Sequence, residues 1–426
     1  MTAAAPWTAS RGGGPGLPRR ADAVVVGGGV VGLAVAFNLA RLGLAEVVVI
    51  ERDRVGSGGS GRSGGLVRLH YTTLEEARLA LAALPWFEEW GERVGGYGGF
   101  VRTGFLQLVS PRDQGVLAEN TAALRGAGVA TWLVGPEEIR ELEPGLRVGP
   151  EEVGAYEPRS GYADPAATVT GLATAARARG ARVVEGVAVD GLVWHRDRVQ
   201  GVATSGGQVA APVVVVANGA WAARLLAPLG VEVGLTPVRA QVAYLARPAA
   251  LGRSVGGHPA VIDRANGCYL RPDGRDRTLV GLSAFHEVLA DVEGWDRGLD
   301  KAFTATVVRQ VARRVPGADR SPVLGGHSGP LDVTRDGRMV LGAVPGVGGL
   351  YLAVGMSGGG FKQAPAIGAC LAELILGGRS ETAPIDAFGV ARFSEAPPPP
   401  ARDYSLPREA VGDEARARLG PRGLIH

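Results

Sequence analysis

Two lysines, two cysteines and three methionines are all that 426 residues hold of those types. Cys268 and Cys370 stand alone, without the paired spacing of a disulfide framework, a zinc site or a C-x-x-C redox motif; free thiols point to the cytoplasm, and no metal site is expected. Charge is also scarce: the net value is +3 and no long basic run occurs, which excludes nucleic acid as the expected partner. Because arginine supplies nearly all the positive charge, Lys301 and Lys362 each stand out. No uninterrupted membrane-length apolar run is present. Ala23 to Phe37 comes nearest, but it carries a glycine cluster and is followed by Asn38 and Arg41, so it reads as a buried βα unit and no membrane span is expected. Residues 1–21 lack an apolar h-region, and Arg19-Arg20 run directly into the first strand, so this stretch reads as a flexible tail and not as a signal. Internal repeats are missing. Glycine is abundant, at 67 residues, and 46% hydrophobic content supplies a large core.

The glycines are concentrated where they carry most information. Val24 to Val26 runs into Gly27-x-Gly29-x-x-Gly32, a helix-patterned segment follows, and a second apolar run, Val47 to Ile50, ends on Glu51-Arg52. This is the strand–turn–helix–strand unit of a dinucleotide site. Gly27 permits the tight turn, Gly29 lets backbone approach a pyrophosphate, and Gly32 lets the helix pack on the sheet. Val30 opens the helix, whose unpaired N–H groups favour an anion, and Glu51 is placed to accept hydrogen bonds from a ribose.

Farther along, the spacing predicts a helix over 73–94 bent at Pro85, an alternating strand over 105–109, and a short helix from Pro136. Asp164-Pro165 caps a helix over 166–179. Three strands in meander spacing follow at 181–185, 187–194 and 200–204, then a buried strand over 212–217. More strands are expected between 238 and 282, with turns at Asn266-Gly267 and Asp273-Gly274. A helix over 302–315, a strand over 349–354 and a helix over 364–376 complete the order. From about Ala396, Pro397 to Pro400 and a charged remainder read as an extended tail, residues 395–426.

Four segments together resemble the D-amino-acid oxidase superfamily of FAD enzymes, in its sarcosine oxidase, glycine oxidase and dimethylglycine dehydrogenase branch. They are the fingerprint, Gly58-Gly-Ser-Gly-Arg-Ser-Gly-Gly-Leu-Val-Arg68, Val213-Val-Val-Val-Ala-Asn-Gly-Ala-Trp221 and Gly355-Met-Ser-Gly-Gly-Gly-Phe-Lys362. The resemblance spans about Asp22 to Phe388. It implies an α/β (α+β) fold, with an FAD-binding Rossmann-like domain (22–95, 160–235, 325–390) interleaved with a substrate domain (96–159, 236–324) on a large mixed, mostly antiparallel β-sheet. The cofactor expected is FAD, contacted by Ser60, Gly61, Arg62, Ser63 and Gly64 of the glycine loop, by Val189, by Ala217, Asn218, Gly219 and Trp221, and by Gly355, Gly358, Gly359, Gly360, Phe361 and Lys362. The last turn would point a helix N-terminus at the flavin, where N–H groups stabilise negative charge.

Arg68 and Lys362 match the positions that hold the substrate carboxylate in monomeric sarcosine oxidase, an arginine fork and a lysine point charge. His70 and Tyr71 flank Arg68; a lone histidine beside a strand is read as structural, as are His195, His258, His286 and His327. The departures matter too. The flavin-linked cysteine of sarcosine oxidase corresponds to about Gly329, and the flavin-linked histidine of dimethylglycine dehydrogenases to Arg62, so FAD is expected to be non-covalent. The lysine that assists reaction with oxygen has no equivalent around Leu279 to Leu282. Ser283 and Leu331 stand near the positions of that enzyme's amine-pocket residues, and Gly359 replaces a histidine common among relatives. Three functions stand: FAD-dependent oxidation of the C–N bond of an amino acid or N-alkylated amino acid, with oxygen or another acceptor; a flavoprotein subunit of a hetero-oligomeric amine, proline or sarcosine dehydrogenase; and an NAD(P)-dependent dehydrogenase, which the fingerprint alone would allow. The first leads. A homo-oligomer is compatible with all three.

Overall fold

The computed structural model describes residues 16–252, 257–284, 287–394 and 403–405. Its nucleus is a six-stranded sheet in the order Val340–Ala343, Leu350–Val354, Val213–Val216, Ala23–Val26, Val47–Ile50, Arg182–Val184. All neighbours run parallel except the antiparallel edge strand Val340–Ala343. Strands buried on both faces suit the continuous valine runs at 24–26, 47–49 and 213–216. Helices Val30–Arg41, Leu74–Glu88, Pro165–Ala178 and Gly360–Gly377 cover one face in one apolar cluster. The first and last pack closely enough that a Cβ on Gly368 would lie 2.4 Å from the Ala34 backbone.

The meander lies one strand later than its spacing predicts. Arg182–Val184 joins the parallel sheet beside Val47–Ile50, because the helix Pro165–Ala178 returns the chain in the same direction. The antiparallel meander is Val189–His195, Arg198–Thr204 and Gly207–Ala210, and it covers the other face. In the helix predicted over 73–94, Pro85 is tolerated and the break falls at Glu89, after which Trp90–Arg93 forms a separate turn. Asp164 caps its helix, its carboxylate accepting from Ala167 N at 2.7 Å. The last helix begins four residues before the predicted Ala364, so Lys362 lies within its first turn.

The second layer is a nine-stranded sheet. Leu235–Ala246 pairs along its length with Val323–Thr334 and also with Arg277–Leu282; Cys268–Asp273, Ala260–Asp263, Phe105–Leu108, Gly154–Glu157 and Trp132–Val134 continue it. Pairing is antiparallel except between Ala260–Asp263 and Phe105–Leu108. Residues 325–334, grouped by sequence with the nucleotide-binding segments, thus run in this sheet. Phe105–Leu108, expected to alternate, is buried at all four positions. Helix Lys301–Arg314 packs on the far face through Phe303, Val307 and Val311. No helix among the described residues is long and apolar enough to cross a membrane. The two sheets leave a cleft between them.

Candidate functional site

The cleft holds about 400 Å³ and begins at the fingerprint. Gly27 has φ +108°, and a Cβ there would lie 2.6 Å from Ala217 O, so the turn takes only glycine. Gly29 and Val30 bring the helix N-terminus to the cleft wall. Ser60 reaches back from the glycine loop: its Oγ accepts from Val30 N at 3.0 Å, beside the helix end where a phosphate would be favoured. Glu51 closes the other end. Its carboxylate accepts from Gly28 N at 2.7 Å and Asp53 N at 2.9 Å, which fixes its orientation and leaves lone pairs toward the cleft.

Most residues expected at the cofactor meet here. Gly27, Gly29, Val30, Glu51, Arg52, Ser60, Arg62, Ser63, Gly64, Val189, Ala217, Asn218, Gly219, Trp221, Gly358, Gly360 and Phe361 all line the cleft. Gly32, Gly61, Gly355, Gly359 and Lys362 stand behind that wall. Gly355 anchors the late turn, its N–H donating to the buried carboxylate of Asp332 at 2.6 Å. Burial lifts Asp332 to about 6 against the pull of three backbone N–H groups. Arg62 does not project into the cleft as a free cation: it folds onto its own loop, donating to Ser57 O and Gly58 O, and stacks on Trp295.

Sequence reasoning missed the strap that contributes Trp295 and Glu293. Arg52 binds Glu293 through two oxygens at 2.9 and 2.8 Å and stacks over Trp221, whose ring meets Trp295 edge-on at 6.1 Å. Tyr269 and Met356 also line the cleft unforeseen. An acidic and aromatic stretch at 291–295 carries no motif, and only the folded sheet brings it over the loop.

FAD fits this cleft on the polar atoms that border it. Among the described residues, Asn218 Oδ1, Trp221 Nε1 and Trp295 Nε1 are buried at its border without a hydrogen-bond partner, an arrangement that costs stability until a ligand satisfies it. The covalent attachment points are occupied otherwise. A Cβ on Gly329 would lie 2.9 Å from Arg62, Cys268 is buried in the large sheet and Cys370 in the last helix. Among the described residues no group of three or more His, Cys, Asp or Glu could hold a metal.

Arg68 and Lys362 both lie against the ring of Tyr71. The guanidinium lies 4.6 Å from the Tyr71 ring centroid and the ammonium 5.8 Å. Both are buried, at 3% and 5% exposure. Arg68 donates to His70 O, and Lys362 Nζ donates to Gly358 O at 3.0 Å. Burial, then the repulsion of Arg68, pulls the lysine well below its ordinary range, with Glu76 opposing. Arg68 Nε is buried there without a hydrogen-bond partner among the described residues, and the Gln363 amide faces the Tyr71 hydroxyl. Burial and the like charge of Arg68 make the Lys362 ammonium costly, and the Glu76 carboxylate offsets part of that cost. Glu157 sits behind them, pushed to about 7 by burial while Ser160, Leu69 N and Arg68 favour its charge; it accepts from Leu69 N at 2.9 Å and Ser160 Oγ at 2.6 Å. Burial, with Arg68 and Arg264 next, lowers His70 to about 3 and keeps it neutral. His286 lies outside the described residues.

Residues 22–374 match the FAD dependent oxidoreductase (DAO) family. The chain belongs to that family. Its cofactor is FAD, and the nicotinamide alternative is thereby corrected: the fingerprint is shared between dinucleotides, and the later segments that decide between them are matched as well. Among curated relatives, human mitochondrial sarcosine dehydrogenase is 31% identical over 388 residues, covering 88% of this chain and 42% of that protein. The chain thus spans less than half of that relative. Glycine oxidase of Geobacillus kaustophilus is 29% identical, covering 89% of this chain and 97% of the relative. Among solved structures, L-proline dehydrogenase from P. horikoshii superimposes with a TM-score of 0.81 at 27% identity, over 89% of this chain and 99% of that one.

Proposed function

We propose that this chain oxidises the C–N bond of an amino acid or N-alkylated amino acid, with FAD bound non-covalently in the cleft. The observation that carries the assignment is the pair Arg68 and Lys362, both buried against the ring of Tyr71. The similarity to a sarcosine dehydrogenase, a glycine oxidase and an L-proline dehydrogenase supports the same substrate class.

FAD supplies the acceptor for the two electrons and the hydrogen that leave the substrate α-carbon. The residues of the chain orient and shield. Arg68 presents a planar fork and Lys362 a point charge, so a carboxylate between them is fixed in direction as well as position. Tyr71 packs against both cations and offers an aromatic surface with a hydroxyl beside them. The N–H groups at the start of Gly360–Gly377 face the cleft and favour negative charge developing there. No side chain needs to remove a proton from carbon, and the nearest candidates suit that restraint: His70, lowered to about 3 by burial, is a weak base, and Glu157 is committed to Leu69 N and Ser160. Orientation of this kind supplies several kcal/mol of the barrier reduction. Free, buried Cys268 and Cys370 suit a reducing compartment, so we place the protein in the cytoplasm.

Anaerobic mixing of the purified holoprotein with a panel of amino acids and N-methylated amino acids tests the assignment. Bleaching of the flavin by at least one carboxylate-bearing amine, and not by its decarboxylated counterpart at equal concentration, is expected. Bleaching by simple amines alone would refute it.

A further inference from the structure

Residues 403–405 dock against the segments that carry Thr72, Asp113 and Asn120, and each of the three is tied. Thr72 Oγ1 donates to Asp403 Oδ1 at 2.6 Å, while Ser405 N and Oγ donate to Asp113 at 3.1 and 2.8 Å. Between them Tyr404 is 5% exposed. Its hydroxyl lies 2.6 Å from His70 Nε2 and accepts from Asn120 Nδ2 at 3.1 Å. The stretch expected to be a tail therefore contributes a side chain to the wall behind Arg68, in a small polar cavity shared with Gln107 and Arg264.

Asn120 offers an N–H to the phenol oxygen, and the neutral His70 imidazole shares its Nε2 hydrogen bond with the same oxygen, the phenol donating when the ring proton is on Nδ1 and accepting when it is on Nε2. Burial holds the phenol protonated and the imidazole uncharged, so the chain Asn120–Tyr404–His70 does not ionise near neutrality. His70 is fixed by its ring, and its backbone carbonyl accepts from the Arg68 guanidinium. We propose that Tyr404 is a positioning residue for Arg68: by locking the His70 ring it fixes the carbonyl that aims the guanidinium at the substrate carboxylate. The inference rests on Arg68 and Lys362 being the carboxylate clamp.

Acetate, a carboxylate that cannot be oxidised at an amine, is the probe. Its binding to the full-length holoprotein is followed by the flavin absorbance change and by calorimetry. Tyr404→Phe keeps the ring and removes the oxygen that meets His70 Nε2 and Asn120 Nδ2, and acetate should bind about 3- to 30-fold more weakly while FAD content is unchanged. Asn120→Ala loosens the same phenol from the other side and should act in the same direction, which serves if Tyr404→Phe does not fold. In an Arg68→Lys background, a positioning role predicts that Tyr404→Phe adds less than about twofold, because the fork it aims is gone. Full multiplication of the two effects, or wild-type acetate affinity in both Tyr404→Phe and Asn120→Ala, overturns the proposal while leaving the clamp intact. Should wild type fail to bind acetate, or Arg68→Lys and Lys362→Met bind it as wild type does, the clamp itself falls and this inference with it.

Discussion

Replacing Lys362 with Met tests the clamp most directly. Methionine keeps an apolar stem of similar length in the first turn of the last helix and removes only the ammonium. The structure sets what is lost. Lys362 is buried beside Arg68, and both effects disfavour its charge against the opposing pull of Glu76. A carboxylate placed between the two cations restores that charge and gains a charge-assisted contact, worth about 1.5–3 kcal/mol. For the acid substrate, kcat/KM should therefore fall about 10- to 150-fold in Lys362→Met. The decarboxylated amine never uses the contact, so its kcat/KM should change little. Stability should move the other way: deleting a buried like-charged neighbour of Arg68 removes a desolvation cost, and Tm should hold or rise. The pH dependence has a definite sign. The folded state binds the Lys362 proton less tightly than the unfolded chain, so this group makes wild-type stability rise with pH toward the ordinary lysine value of 10.5, and the variant should lose that slope. Equal loss on acid and amine would mean a general defect. No loss on either would remove the carboxylate from this site.

Further outcomes follow from the same geometry. Glu51→Gln weakens the contacts that hold Gly28 N and Asp53 N and removes the charged ribose acceptor, a cost of about 1–3 kcal/mol; the variant should purify with less FAD, and full occupancy at low free FAD would take Glu51 away from the nucleotide. Acid precipitation should leave the yellow colour in the supernatant, since Gly329 and Arg62 stand at the attachment positions; colour in the pellet would show a covalent flavin. Glu157 has its folded-state value raised from 4.5 to about 7, so the folded protein binds the extra proton and this group's contribution to stability falls as pH rises between those values, by on the order of 3 kcal/mol. Glu157→Gln should flatten that part of the pH–stability curve in denaturant titrations, and an unchanged curve would mean Glu157 is ionised at no cost.

What the sequence made legible was local chemistry. The fingerprint, the Asp164 cap and the glycine turn before Lys362 are each set by neighbours within a few residues, and each appears where its residues predict it. Arg68 and Lys362 lie nearly 300 residues apart, and only the family resemblance linked them; no periodicity could. The strand Arg182–Val184 illustrates the limit on topology, because a short apolar run does not say whether its partner is the next hairpin or a parallel strand more than a hundred residues back. The preceding helix decides it, by returning the chain in the same direction as Val47–Ile50.

Side chains whose role is to support another side chain were the least visible. Glu293, Trp295 and Tyr404 carry no motif because their work is defined by what they touch: Arg52, Trp221 and His70. Proline-rich composition before Asp403 argues for an extended chain, and composition cannot register that one buried phenol outweighs it locally. A tyrosine with its hydroxyl bonded on both sides can offset the ordering of a few residues, since leaving those partners unpaired in a buried site would cost as much as the bonds give. Lys362 lies in the first turn of Gly360–Gly377, whereas Arg68 lies in the loop after the strand Leu66–Val67 and takes its support from His70 and, through it, from Tyr404. Arg68 needs a fixed orientation more than a strong bond, and a carbonyl held by a locked ring provides that at a distance of two residues.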